Sequence, residues 1–296
     1  MSATTIDEAV VAMAAGARPV AGGTDLVVAS RQGKLPLPES LVAIHRLEEL
    51  REIAESDDGA LRLGALATHE EIAAHPIVRN RFTALADASA IVGSHATRAH
   101  GTIGGNLMNA SPAMETGGPL VCFDGVVTLR SAGGSRTVAV ADLFKSPGAT
   151  IADPQELLTD VRVPVPENGT GSCYLRLEYR RQMEIAVVGA TAAVTLADGR
   201  VSDARIAITA LAPTIRRVPE AEAALVGTDG GHAIVGQSAA AAAASSAPIS
   251  DVRASAGYRR AMAEVIARRA IEAAVARARG DFVPVPASPA LHGGMP

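Results

Sequence analysis

The segment GTIGGNLMNASPAMETGGP, residues 101–119, constrains the fold more than any other stretch of this sequence. Glycine and proline recur along it and disfavour a long regular helix or strand. Ile103, Leu107 and Met108 are nevertheless apolar, which is not typical of a solvated flexible linker. We therefore predict a buried, irregular loop that forms part of a folded domain.

AGGTDL at residues 21–26 is a second glycine-rich turn, and it lies between a predicted short strand and a predicted helix at about 24–33. Glycines allow backbone N–H groups to converge in such a turn, and the helix that follows adds the positive end of its dipole. GTIGGN at 101–106 offers backbone donors in the same way, together with the hydroxyl of Thr102 and the amide of Asn106. Two such turns in one domain suit the two phosphates of a pyrophosphate, although each turn alone is also compatible with an ordinary structural role.

Familiar phosphate and metal motifs are absent from the sequence. No GxGxxG opens a helix after a strand, and no GxxxxGK is followed by Ser or Thr, so Rossmann and P-loop domains are disfavoured. The seven histidines show no HxxxH pair and no carboxylate at ligand spacing, so we predict no metal site in this chain. Cys122 and Cys173 form no CxxC pair, and the chain alone cannot hold a four-cysteine iron–sulfur cluster.

The chain has 296 residues, which is too long for one minimal core and predicts two or three domains. Hydrophobic residues make up 48% of it and charged residues 20%, the balance of a folded globular chain. The net charge of −4 provides no basic field for nucleic acid or for an anionic membrane. Neither a signal peptide nor an apolar run of about 18 residues is present, so we expect no transmembrane segment and a cytoplasmic location.

Proline and glycine cluster at 161–173, which is the best candidate for a linker between two domains. Beyond it, three apolar runs predict an antiparallel meander, and Asp198-Gly199 is a strong signal for its second turn. Alanine-rich helices follow, and the proline-rich tail is predicted to be flexible. The predicted strands are at about 174–180, 185–196 and 201–211, the helices at about 219–226, 234–245 and 252–279, and the tail at 281–296.

Three stretches resemble the flavin-carrying medium subunits of molybdenum hydroxylases, the family that includes carbon monoxide dehydrogenase and xanthine dehydrogenase. They are AGGTDL at 21–26, GTIGGNLMNASPAME at 101–115 and YLRLEYRRQMEIAVVGA at 174–190, and the resemblance covers roughly residues 5–280. The TIGGN-x-x-NASP stretch is the most specific of them. The resemblance implies an α+β fold with a two-part FAD-binding domain of the vanillyl-alcohol-oxidase type and a smaller C-terminal α+β domain. The expected bounds are 1–167 for the FAD-binding domain, with subdomains at about 1–55 and 56–167, and 172–280 for a C-terminal domain of a three-stranded antiparallel sheet and helices.

The resemblance also implies FAD contacts residue by residue, with departures from the family pattern. Glu115 stands where the family usually has aspartate, and Arg176 stands where it often has lysine. Arg176 would place a permanent positive charge beside the flavin, whereas the alternative is an ion pair with Glu178 or Glu184 at the domain junction. Ile185 stands where some relatives have tyrosine, so no aromatic stacking on the ring is expected. The implied contacts are Ala21, Gly22, Gly23, Thr24, Asp25, Leu26, Thr102, Ile103, Gly104, Gly105, Asn106, Glu115, Leu158 and Arg176.

Covalent flavin attachment in this fold class generally uses a histidine or cysteine beside the ring, and neither glycine turn contains one. We therefore predict non-covalent FAD. His100 is the one histidine directly beside a turn, and it either approaches the cofactor or has a local structural role. No catalytic side chain is identified in the sequence.

The resemblance implies an electron-transfer subunit that passes electrons from [2Fe–2S] clusters through FAD to an external acceptor. Its partners would be a small subunit with two [2Fe–2S] clusters and a large subunit with molybdenum–pterin, assembled as a dimer of heterotrimers. A stand-alone FAD-dependent oxidoreductase is the first alternative, but it would need its own substrate pocket and catalytic residue. A non-enzymatic scaffold with an anion or nucleotide site is the second.

Overall fold

The computed structural model describes residues 1–33, 36–180 and 182–288, and it combines helices with mostly antiparallel sheets. Buried apolar side chains form three clusters, each drawn mainly from one of three consecutive parts of the chain. Among the described helices, none is both long and apolar enough to cross a membrane.

The first lobe is built on a pair of short parallel strands. Thr5 caps its first helix, because the side-chain oxygen accepts the N–H of Glu8 at 3.1 Å, as the Thr-x-x-Glu pattern predicts. Val10, Met13 and Val42 are buried together in a small core of their own. The elements are α1 (Ile6–Ala14), β1 (Arg18–Val20), α2 (Thr24–Arg31) and β2 (Leu41–Ala43), with a 3-10 turn at Glu48–Leu50.

The second lobe contains a five-stranded antiparallel sheet and the helices that connect its strands. Its elements are β3 (Ile53–Glu55), β4 (Leu61–Gly64), α3 (His69–Ala74), α4 (Pro76–Arg81), α5 (Thr83–Ala90), α6 (His95–His100), α7 (Ile103–Asn109), α8 (Gly117–Cys122), β5 (Val126–Ser131), β6 (Gly134–Ala139), α9 (Val140–Leu143), β7 (Phe144–Ser146), β8 (Ala149–Thr150) and β9 (Leu157–Val163). The strand order in the sheet is β3-β4-β9-β5-β6, and β7 pairs with β8 separately. Phe82 and Phe123 pack edge to face in the core, with ring centroids 5.3 Å apart.

Residues 101–119 are largely buried, as predicted, but they are not irregular throughout. Thr102 caps α7, since its side-chain oxygen accepts the N–H of Gly105 at 3.1 Å. This cap, together with the burial of Ile103 and Leu107, offsets the low helix propensity of the two glycines. The prediction of an irregular loop is therefore wrong for α7, and α8 begins at the end of the same segment.

The C-terminal domain is an antiparallel sheet with three helices. Its elements are β10 (Thr170–Leu177), β11 (Val188–Ala197), β12 (Arg200–Thr209), β13 (Arg216–Arg217), α10 (Pro219–Leu225), α11 (His232–Ala244) and α12 (Ala256–Ala278). The predicted meander is present, and Asp198-Gly199 forms its second turn with φ values of 51° and 75°. The prediction of three strands is wrong, because the two-residue β13 pairs with Ala207 and Ile208 and makes the sheet four-stranded. A strand that short has no alternating pattern to detect.

The tail begins with a stretch that packs over the junction between α5, β10 and α12. The buried carboxylate of Asp87 accepts hydrogen bonds from Arg277 Nη1 at 2.6 Å and from the N–H of Ala287 at 3.0 Å. Arg277 also donates to the carbonyl of Pro284 at 2.7 Å. These bonds satisfy a buried charge and hold the chain at Pro284 and Ala287, whereas the flexibility of 281–296 stays a prediction. Residues 289–296 lie outside the described part of the chain.

Candidate functional site

The two predicted glycine turns meet at one cleft between the first two lobes. The cleft has a volume of about 260 Å³, and Ala21, Gly22 and Thr102 are among the residues that line it. A Cβ atom added to Gly22 would overlap the carbonyl oxygen of His100. The first turn therefore rests directly on the backbone that leads into the second, an approach that glycine alone permits.

The first turn ends in an open helix N-terminus. Gly23 adopts φ 70° and serves as the N-cap of α2 without a side-chain cap. The first intrahelical bond runs from the N–H of Val27 to the carbonyl of Gly23, so the amides of Thr24, Asp25 and Leu26 have no partner within the helix. These amides and the helix dipole favour an anion at this end of α2.

The second turn divides its residues between the cleft and the core. Thr102 lines the cleft and Gly105 is exposed. Ile103 is fully buried, and a Cβ on Gly104 would lie 2.8 Å from Ala65, so these two residues pack against the second lobe. Gly104 and Gly105 both lie in α7 and have helical rather than positive φ values. Within this turn, Thr102 is thus the residue that lines the cleft, and the predicted FAD contacts of the turn stay predictions.

Glu115 and Arg176 meet in a polar junction between the second lobe and β10, and Asn106 bonds to the residue next to Glu115. The side-chain oxygen of Asn106 accepts a 2.6 Å hydrogen bond from the hydroxyl of Thr116, the neighbour of Glu115. Arg176 is fully buried and donates from Nη1 to the Glu115 carboxylate. Its Nε donates to Glu178 at 2.6 Å, so one guanidinium joins two carboxylates.

The electrostatics of this junction follow from its burial. Burial raises the pKa of Glu115, and the neighbouring guanidinium of Arg176 opposes that shift. Arg176 also donates to the backbone carbonyl of Glu184 at 3.2 Å, whereas the Glu184 carboxylate lies 3.5 Å from Arg180. The pairing of Arg176 with Glu178 is therefore present, and the pairing with Glu115 is one that the sequence analysis missed. A contact between Arg176 and the flavin stays a prediction.

The remaining predicted residues lie in different surroundings. Leu158 is 3% exposed and belongs to the same buried cluster as Ile103. Ile185 is 47% exposed on the segment that joins β10 to β11. His100 lines the cleft, and its Nδ1 lies 3.0 Å from the carbonyl of Ala96. A carbonyl only accepts, so Nδ1 carries the proton and Nε2 is left for another partner.

Several lining residues of the cleft were not singled out by sequence analysis. They flank the 3-10 turn of the first lobe or cap the start of α3, and they include His45, Arg51 and Thr68. Thr68 carries one local signal, because Thr68 and Glu71 have the Thr-x-x-Glu spacing typical of a capping box, and that box is present at α3. Nothing local marked Arg51, which lines the cleft because of how the two lobes pack.

The described residues include candidate metal ligands and two cysteines, and neither set forms a reactive site. No group of three or more histidine, cysteine or acidic side chains in the described part could hold a metal ion. Burial raises the pKa of both Cys122 and Cys173, so neither is a reactive thiolate at neutral pH.

Comparisons with known proteins agree with this geometry. The family described as the FAD binding domain in molybdopterin dehydrogenase matches residues 1–166, and the CO dehydrogenase flavoprotein C-terminal domain matches residues 174–274. The carbon monoxide dehydrogenase medium chain of Afipia carboxidovorans is 33% identical over 89% of this chain and 90% of its own length. The nicotine 6-hydroxylase medium subunit of Paenarthrobacter nicotinovorans is 31% identical over 87% of this chain and 89% of its own.

Solved structures show the same likeness. A chain of CO dehydrogenase from Oligotropha carboxidovorans superposes with a TM-score of 0.89 at 32% identity, covering 93% of this chain and 96% of that one. A chain of quinoline 2-oxidoreductase from Pseudomonas putida superposes with a TM-score of 0.88 at 28% identity, covering 94% and 96%. The chain therefore belongs to the FAD-binding medium subunits of the molybdenum hydroxylases, a family of oxidoreductase subunits.

Proposed function

We propose that this chain is the electron-transfer subunit of a molybdenum-containing hydroxylase or dehydrogenase. It takes electrons from [2Fe–2S] clusters on a partner, and an external acceptor removes them. The observation that carries the proposal is the meeting of two glycine turns at one cleft, beside the open N-terminus of α2. FAD, when bound, supplies the redox chemistry, and the chain supplies binding and electrostatics.

The residues present fit the diphosphate of FAD. The backbone amides at Gly23, Thr24, Asp25 and Leu26 provide donors at the positive end of a helix. Thr102 and Gly105 would form the second side of the diphosphate site, and Thr102 is held in place as the cap of α7. Because neither turn contains a histidine or cysteine, we expect FAD to be bound non-covalently, and acid precipitation should release the flavin into the supernatant.

The polar junction would hold charge close to the cofactor. Its guanidinium cannot lose a proton at neutral pH, so Arg176 would act by its charge and not as an acid. The two bound carboxylates fix the orientation of that charge. Asn106 connects the junction to the second turn, because it lies on α7 and bonds to Thr116.

The partners follow from the family. We propose a small subunit with two [2Fe–2S] clusters and a large subunit with molybdenum–pterin, assembled as a dimer of heterotrimers. The relatives named as medium chains, and one named as the alpha subunit of a 6-hydroxypseudooxynicotine dehydrogenase complex, support an assembly of several subunits. A cytoplasmic location and a two-part FAD-binding domain of the vanillyl-alcohol-oxidase type stay predictions.

Spectroscopy of the purified full chain separates the three functions considered. An electron-transfer subunit should show the visible absorbance of oxidised flavin, and partner subunits or artificial donors should reduce it. A stand-alone oxidoreductase would turn over a substrate without partners. A non-enzymatic scaffold would be colourless, and it would stay so after incubation with FAD.

A further inference from the structure

The cleft that holds both glycine turns also contains a cationic side chain from a third segment. Arg51 follows the 3-10 turn of the first lobe and lines the cleft, as do His45 and His100. None of the described residues that line the cleft is acidic. The cleft therefore has a positive lining in a chain whose net charge is −4.

Arg51 is held in place by a bond that leaves part of its guanidinium available. Nη2 donates to the backbone carbonyl of His45 at 2.8 Å, which fixes the side chain against its own turn. Nε lies 3.7 Å from the Glu48 carboxylate, but that side chain is 83% exposed, so water screens the pair. An arginine has five N–H donors, and Arg51 lines the cleft, so donors beyond the one bonded to His45 remain for an anion there.

We propose that Arg51 is the side-chain ligand for the diphosphate of the cofactor, an inference that rests on the proposed FAD binding. The two turns supply neutral amide donors, which orient a diphosphate but do not neutralise it. A guanidinium supplies the missing charge and donates two parallel hydrogen bonds to phosphate oxygens. The segment that carries Arg51 thereby adds a charged ligand to a diphosphate site whose other donors are the neutral amides of the two turns.

The test uses the full chain after removal of FAD, with ADP as the probe. Calorimetry should give an ADP dissociation constant about tenfold higher or more in Arg51→Gln, as expected for one lost charge-assisted bond. The affinity of Arg51→Gln should also depend less steeply on salt concentration than that of the wild type. Arg51→Lys should retain most of the salt dependence, since it keeps the charge.

Arg46→Gln is the matched control. Arg46 lies shortly before the 3-10 turn that Arg51 follows, is exposed and does not line the cleft, so its loss changes the net charge without touching the site. This variant should bind ADP as the wild type does.

Equal ADP affinities in Arg51→Gln and Arg46→Gln would overturn the role of Arg51 while FAD binding stands. So would a weaker Arg51→Gln whose salt dependence is unchanged, because that result indicates a purely structural role. A wild-type chain that binds neither FAD nor ADP would overturn the proposed function as well.

Discussion

Arg176→Met should destabilise the chain by about 3–5 kcal/mol, because it leaves buried carboxylates without their cation. The Arg176 side chain is fully buried and that of Glu115 is 8% exposed, so water cannot replace the lost guanidinium. Charge centres about 4 Å apart attract each other by about 4 kcal/mol at an effective dielectric constant of about 20. Glu178, which accepts a 2.6 Å hydrogen bond from the same guanidinium, loses its contact too.

Urea unfolding of the full chain at several pH values measures this loss. Burial raises the pKa of Glu115, and Arg176→Met removes the charge that most strongly opposes the shift. A raised pKa means that the folded chain binds this proton more tightly than the unfolded chain does. The folded state is then least stable above that pKa, and the deficit of Arg176→Met should shrink as the pH falls through it.

Two further variants make the result specific. Glu115→Gln combined with Arg176→Met should be more stable than Arg176→Met alone, since glutamine leaves no buried charge at that position. Arg130→Met removes an exposed ion pair with Asp7, whose side chain is 79% exposed, and should change stability by about 1 kcal/mol or less. The stabilising role of the buried Arg176–Glu115 pair would be refuted if Arg176→Met lowered the free energy of unfolding as little as Arg130→Met does. It would also be refuted if adding Glu115→Gln left the stability of Arg176→Met unchanged.

The other predictions concern the second turn, the flavin and the tail. Gly104→Ala should destabilise the fold, since its Cβ would lie 2.8 Å from Ala65, whereas Gly105→Ala should mainly lower FAD content. Unfolding curves and the flavin content per chain measure the two effects, and equal effects of both variants would contradict these different roles. With FAD bound, Arg176→Met should lower the midpoint potential of the flavin by about 20–45 mV, whereas Arg176→Lys should not. An Arg176→Met chain with full FAD content and an unchanged potential in spectroelectrochemical titration would exclude a contact between Arg176 and the flavin. Asp87→Asn should speed amide hydrogen exchange in 281–288, and unchanged protection there would contradict the anchoring of the tail.

Features that depend on short-range contacts are the ones that local sequence patterns indicate best. The Thr5 cap, the Thr68–Glu71 capping box and the Asp198-Gly199 turn each depend on residues within a few positions of one another. The first glycine turn and the helix after it were also predicted, because strand, glycine and helix signals adjoin there. Short-range hydrogen bonds and backbone preferences suffice for all of these features.

Contacts between distant segments could not be predicted in this way. Glu115 and Arg176 are 61 positions apart, and Asp87 and Ala287 are 200 apart, so only the packing of the domains brings each pair together. The same packing places Arg51 in the cleft. The helix α7 was missed for a related reason, since burial of its apolar residues outweighs the low helix propensity of its glycines.

We infer that this chain binds FAD through the cleft where the two glycine turns meet. The most direct measurement is the FAD content per chain after reconstitution and gel filtration, for the wild type and for Gly22→Ala. The wild type should retain an equimolar amount of FAD. Gly22→Ala should retain far less while circular dichroism shows that the C-terminal domain stays folded, because its Cβ would overlap the His100 carbonyl and push the two turns apart. A colourless wild-type chain, or a Gly22→Ala chain with full FAD content, would contradict the account.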